Sequence, residues 1–162
     1  SQYKEEGVLA WVETDFSLSE QAPMAVNLWN LYRSRYISRF VQEAGLSIIP
    51  RLPLFTSNPE STTWHYIFAG VPKRPPCLSA ELQSGLYGPD SDKNIEACVY
   101  GLQRAVRELQ PKSLLLYHGA KGPGIVDRCN FPSDLAIIMV ETVAHARRHV
   151  REDMRRIEKK YG

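Results

Sequence analysis

The chain has 162 residues, 43% of them hydrophobic and 23% charged, which suits one domain with a substantial core and is close to ordinary globular usage. Its formal net charge of +2 is too small to imply a polyanion partner, which only a local cluster of bases would support. No apolar run reaches the roughly 20 residues of a membrane helix, so no membrane association is expected.

Cys77, Cys98 and Cys129 are widely spaced and form no CxxC pair. An odd count fits a reducing, cytoplasmic setting better than a disulfide scaffold, and the three read as small buried hydrophobes. The chain opens on Ser1-Gln2-Tyr3 rather than methionine. A processed form, or a piece lacking an N-terminal region, is expected.

Val8–Glu13 reads as the first strand. Ser17-Leu18-Ser19-Glu20 matches a capping box, and Pro23 is compatible with a first helical turn. From Ala22 the apolar residues Ala25, Leu28, Trp29, Tyr32, Tyr36, Ile37, Phe40 and Val41 recur at helical spacing, which marks the packed face of a helix. Gly45 stops it, and Leu46–Ile49 is a short buried strand ended by Pro50. Residues 53–63 read as a loop, and Trp64–Ala69 as an aromatic, β-branched strand. Three prolines keep Val71–Pro76 out of any helix. Cys77–Leu82 is the next strand.

The links around Trp64–Ala69 are short for parallel crossovers, so part of the sheet is expected to be antiparallel or irregularly connected. Asp92–Leu109 carries Ile95, Cys98, Val99, Leu102, Val106 and Leu109 on one helical face. Ser113–Tyr117 is a buried strand, Gly119–Gly124 a flexible connector, and Leu135–Val140 a last strand rather than the start of a helix. Residues 144–160 form an amphipathic helix with Ala146, Val150, Met154 and Ile157 inward. The expected fold is α/β: one three-layer-like domain over residues 1–162, with a mostly parallel sheet, crossover helices and that C-terminal helix.

Ligands of parallel sheets gather at the carboxyl ends of the strands. That edge would collect Asp15, Arg51, Glu81, His118 and Glu141. Asp15, His118 and Glu81 are the candidate acid/base residues, although Asp15 also suits a helix cap. Arg33, Arg35, Arg51 and Lys121 are the candidate phosphate ligands, with an internal ion pair to Asp15 as the competing explanation for the arginines. The loop around Lys121 matches neither a Walker A spacing nor GxGxxG. His145 and His149 share a helix face without an HExxH pattern, so no metal site is expected. Arg147, Arg148, Arg151, Arg155, Arg156, Lys159 and Lys160 are interspersed with acids, which favours a solvated, salt-bridged face over a phosphate contact.

Thr14-Asp15-Phe16-Ser17, Trp29-Asn30-Leu31-Tyr32-Arg33-Ser34-Arg35, Ile48-Ile49-Pro50, Phe68-Ala69-Gly70-Val71-Pro72 and Leu115-Leu116-Tyr117-His118-Gly119 resemble a family of phages, plasmids and their bacterial hosts, domain of unknown function 4417, over roughly residues 8–120. The resemblance implies a mobile-element setting and a single α/β domain, and it supplies no catalytic role. The Pro-rich 71–76 stretch and the basic tail depart from the family pattern.

The leading expectation is therefore a phage or plasmid protein that handles nucleic acid or nucleotides through an Arg/Lys phosphate site. One alternative is a small-molecule hydrolase or transferase using Asp15 and His118. Another is a module that binds a host protein without catalysis, which requires an exposed apolar patch. Whether the chain is an enzyme, its cofactor and its oligomeric state are left open.

Overall fold

A computed structural model describes residues 5–142, apart from residues 55, 57, 83–85, 87 and 88. The helix expected over 144–160, with His145, His149 and the basic tail, lies outside the described residues.

Strand β1 (Ala10–Val12) pairs in parallel with β2 (Ser47–Ile49), across helix α1 (Met24–Glu43). The capping box does not cap this helix. Pro23, with φ of −52°, occupies the N-cap with no side-chain bond, since its ring presets the backbone one turn later than the Ser/Glu pair. Ser19 instead receives a bond from the Gln21 N–H at 3.2 Å, while its own N–H donates to Asn27 Oδ1 at 3.1 Å. Gly45 closes α1 as expected, in the left-handed region at φ +87°.

Pro50 alone separates β2 from β3 (Arg51–Leu52). It has no N–H to donate, but its carbonyl accepts from the N–H of Ser79 at 2.8 Å and so carries the backbone toward β4 (Leu78–Leu82). Residues 64–69 are not a strand. Thr62–His65 is a 3₁₀ turn whose Ser61 cap receives a bond from Thr63 N–H, and further turns follow. Trp64 and Ile67 are buried, at 6% and 1% exposure, and Trp64 Nε1 donates to Asn58 O at 2.8 Å. Aromatic and β-branched side chains favour burial rather than a particular backbone, and a tight turn buries them here.

Helix α2 (Ser91–Leu109) leads from β4 to β5 (Ser113–His118). The Gly-rich segment expected as a connector includes the start of helix α3 (Gly122–Asp127), and β6 (Ala136–Glu141) is the strand expected there. The ladders β3–β4, β4–β5 and β5–β6 are all parallel, and the strands lie in chain order. Among the described residues no strand pair is antiparallel, so the irregularity expected in the middle lies in the connection alone.

Side chains alternate across a strand. Leu52, Leu78, Ala80, Leu82, Leu114 and Leu116 point to one face, where they form the core with Cys98, Leu102, Ala105 and Leu109 of α2 and Ile125 of α3. Arg51, Ser79, Glu81, Leu115 and Tyr117 occupy the other face by the same register.

Candidate functional site

The carboxyl end of β1 delivers Glu13 into the interior, where it is 3% exposed. Its Oε2 takes bonds from the Arg35 guanidinium and, at 3.0 Å, from the Arg51 N–H. Ser38 Oγ lies 3.3 Å from Oε1. A buried carboxylate needs this many donors because desolvation otherwise opposes its charge. Arg35 also donates through Nε to Ala69 O at 3.1 Å, and its stem lies 3.4 Å from where a Cβ on Gly70 would sit. Burial pushes the Arg35 guanidinium down to about 10, so it is still charged at neutral pH.

A second network lies beside the first. Arg51 forms an ion pair with Asp15 through Nη1 and with Glu81 Oε2 at 3.1 Å through Nη2. The structure therefore brings together three of the predicted site residues. Arg51 faces two carboxylates, and Arg35 faces one through Nη1 while its Nη2 is buried with no partner among the described residues. The recess beside them, bounded by Thr14, Asp15, Phe16, Ser34 and Arg51, holds about 20 Å³. That is room for about one water, far less than a nucleotide fills.

His118 does not join this cluster. In register with Leu82 and Glu141, it projects to the core face, opposite Arg51 and Glu81. It is 7% exposed, its Nδ1 lies 2.9 Å from Gly119 O, and α3 packs so tightly on it that a Cβ at Gly122 would collide with its own Cβ. Glu141 is exposed on the edge strand, and Lys121 is half-buried at the N-cap of α3. Arg33 lies with its guanidinium 4.2 Å from the Phe16 ring centre and bonds Asn30 Oδ1 at 2.6 Å. Its Nε is buried with no partner among the described residues.

Two roomier clefts lie elsewhere. One of about 270 Å³ runs between Arg35, Ser38 and Arg39 of α1 and Pro72, Pro75 and Pro76. Another, of about 540 Å³, sits at the amino end of the sheet between Arg74, Gln110, Lys112 and Asp134. Neither contains any of the predicted acid/base residues.

The largest departure from expectation is helix α1, which packs the other way round. Its buried residues are Asn27, Leu31, Ser34 and Ser38. Asn27 donates to Ser19 O at 2.8 Å and Ser34 Oγ to Thr14 O at 2.6 Å; with Arg35 and Ser38, they hold the helix to the β1 end through polar bonds. The apolar stripe faces solvent. Trp29, Tyr32, Tyr36 and Phe40 are 58, 54, 51 and 58% exposed. Each ring contacts the next, with centroids 5.6, 5.7 and 5.1 Å apart along the helix. Sequence reasoning missed Glu13 and this inversion. The one signal for it was that Asn27, Leu31, Ser34 and Ser38 also recur at helical spacing.

Among the described residues no cluster of three or more metal-ligating side chains occurs, and no helix is long and apolar enough to cross a membrane. The profile of the family described as domain of unknown function DUF4417 matches residues 4–130. The chain is 33% identical over 104 residues to the Gene 1 protein of Mycobacterium phage L5, covering 64% of this chain and 42% of that protein. It is 31% identical over 113 residues to the Gene 1 protein of Mycobacterium phage D29, covering 69% of this chain and 38% of that protein. The chain thus spans about two fifths of the length of these curated relatives. No solved structure matches it significantly. With both phage relatives and the profile in agreement, the chain belongs to the DUF4417 family, and is a phage-associated α/β protein.

Proposed function

We propose that this domain is a protein-docking module of a phage protein, and that the aromatic ridge of α1 is its binding face. The observation that carries the reading is the ridge itself. Four rings of ~200 Å² each, together with exposed Met24, Val26, Leu28 and Ile37, present on the order of 700–800 Å² of apolar surface. A typical monomer's largest patch is about 300–600 Å², whereas one side of a standard interface contributes about 800 Å². Tyr and Trp are also the residues that most often anchor interfaces.

Phosphate handling at the strand ends has weaker support. Arg51 already faces two carboxylates and Arg35 one, and the recess beside Arg51 is about one water in size. What favours it as a second reading is that Arg33 Nε and Arg35 Nη2 are buried with no partner among the described residues, and that Arg35 lines the cleft of about 270 Å³. Catalysis by Asp15 with His118 would need groups on opposite sheet faces to converge.

The test of docking is photo-crosslinking from a benzophenone residue at position 36, with position 112 as a control on another surface. A discrete adduct formed only from position 36, and lost when Trp29→Ser and Phe40→Ser are added, supports the reading. Equal yields from both positions overturn it. The phosphate reading is tested by titrating single-stranded oligonucleotide at low salt: binding that weakens with salt and is lost in Arg33→Met would support it.

A further inference from the structure

We infer that the occupant of the aromatic ridge is a second copy of this chain, with two α1 helices crossing antiparallel about a two-fold axis near Ser34. This rests on the docking reading of the ridge. The ridge runs from Met24 to Phe40, about 24 Å of helix at 1.5 Å per residue, and its apolar area on one chain is what each partner of a stable dimer supplies. A two-fold interface must be self-complementary, and the sequence along α1 meets that condition in one orientation.

With the axis level with Ser34 but on the exposed side of the helix, Tyr32 packs against Tyr36 of the other copy, and a crossing that aligns the two i,i+4 ridges sets Leu28 against Phe40. Parallel helices would instead bring both charged carboxyl-terminal ends, each carrying Arg39 and Glu43, to the same side of the crossing. Apart from Arg33, drawn toward Phe16, no charged side chain interrupts the stripe between Met24 and Tyr36 on its outer side.

The experiment is sedimentation of the purified chain across concentration, with Tyr36→Arg beside it. A dimer at low micromolar concentration is expected, with association weakened at least 100-fold in Tyr36→Arg. Orientation is read from cysteine trapping in a Cys77→Ser background. A mixture of Tyr32→Cys and Tyr36→Cys chains should cross-link faster than either variant alone. Faster Tyr32→Cys self-linking would overturn the antiparallel arrangement. A chain that stays monomeric up to about 100 μM, well above what a standard interface requires, overturns self-pairing. In that case acrylamide quenching of Trp29, read in a Trp11→Phe background with Trp64 buried, separates the two readings. An accessible indole leaves docking to a different protein intact, whereas a shielded one shows that the chain covers its own ridge, and both readings fail.

Discussion

Arg35 forms an ion pair with Glu13, a carboxylate whose side chain is 2% exposed at the end of β1. The pair fastens α1 to the strand by its polar side, and this is what frees the aromatic side to face outward. Removing one member of such a pair leaves the other buried and uncompensated, which costs about 3–5 kcal/mol. Glu13→Gln and Arg35→Met should each lower Tm by roughly 6–15 °C. The double variant Glu13→Gln/Arg35→Met should lose less than the sum of the two, because the second change removes a charge that is already unpaired. Additive losses measured by calorimetry would show that the pair is not coupled.

Asp15 and Glu81 are 45% and 27% exposed and are both paired with Arg51. Screening limits such pairs to about 1 kcal/mol or less. Asp15→Asn should therefore fold normally, with Tm within about 3 °C of the wild type. A loss above about 10 °C would mean that Asp15 carries far more of the fold than this exposed pairing allows.

Gly122 has no room for a side chain against His118. The neighbouring atom is the His118 Cβ, which is fixed to the strand and cannot swing aside. Gly122→Ala should cost about 1–3 kcal/mol, whereas Gly124→Ala, with nothing within 4 Å of its Cβ position, should cost much less. Equal melting temperatures for the two variants would contradict the packing of α3 on β5.

Burial raises both the Cys98 and the Cys129 thiol to about 11, from an ordinary value of 9.0, and the nearby Cys129 adds to the effect on Cys98. The folded protein therefore binds more protons than the unfolded chain between about pH 9 and 11. The stability these thiols contribute is fully present below pH 9 and is lost as pH rises through 11. Denaturant midpoints should fall across that window, and by less in Cys98→Ala. A flat profile would show that the thiols are not desolvated.

Much of the architecture was legible in the sequence because burial and local rules agree there. Leu78–Leu82, Ser91–Leu109 and Ser113–His118 have apolar residues at the period of their own element, and Gly45, which has no Cβ, takes its left-handed cap without strain. Asp15, Arg51 and Glu81 were readable as one strand-end group, since parallel register carries such residues to a common edge. What misled was α1. Its aromatic stripe obeys the rule for a packed face, and only tertiary bonds from Asn27, Ser34, Arg35 and Ser38 reveal that the polar side is the buried one. Trp64 and Ile67 misled in the same way, since a turn buries them as well as a strand would. His118 was misplaced by one step of the pleat, which sends a side chain to the opposite face of the sheet.

The most direct test of the central claim is the melting temperature of the triple variant Tyr32→Ser/Tyr36→Ser/Phe40→Ser, read at a concentration low enough to exclude association. A solvent-facing ridge predicts a Tm within about 6 °C of the wild type, because three surface substitutions cost about 0.5 kcal/mol each. A collapse of more than about 10 °C, the mark of aromatic residues removed from a packed core, would show that these rings hold the fold together and are not a face kept open for a partner.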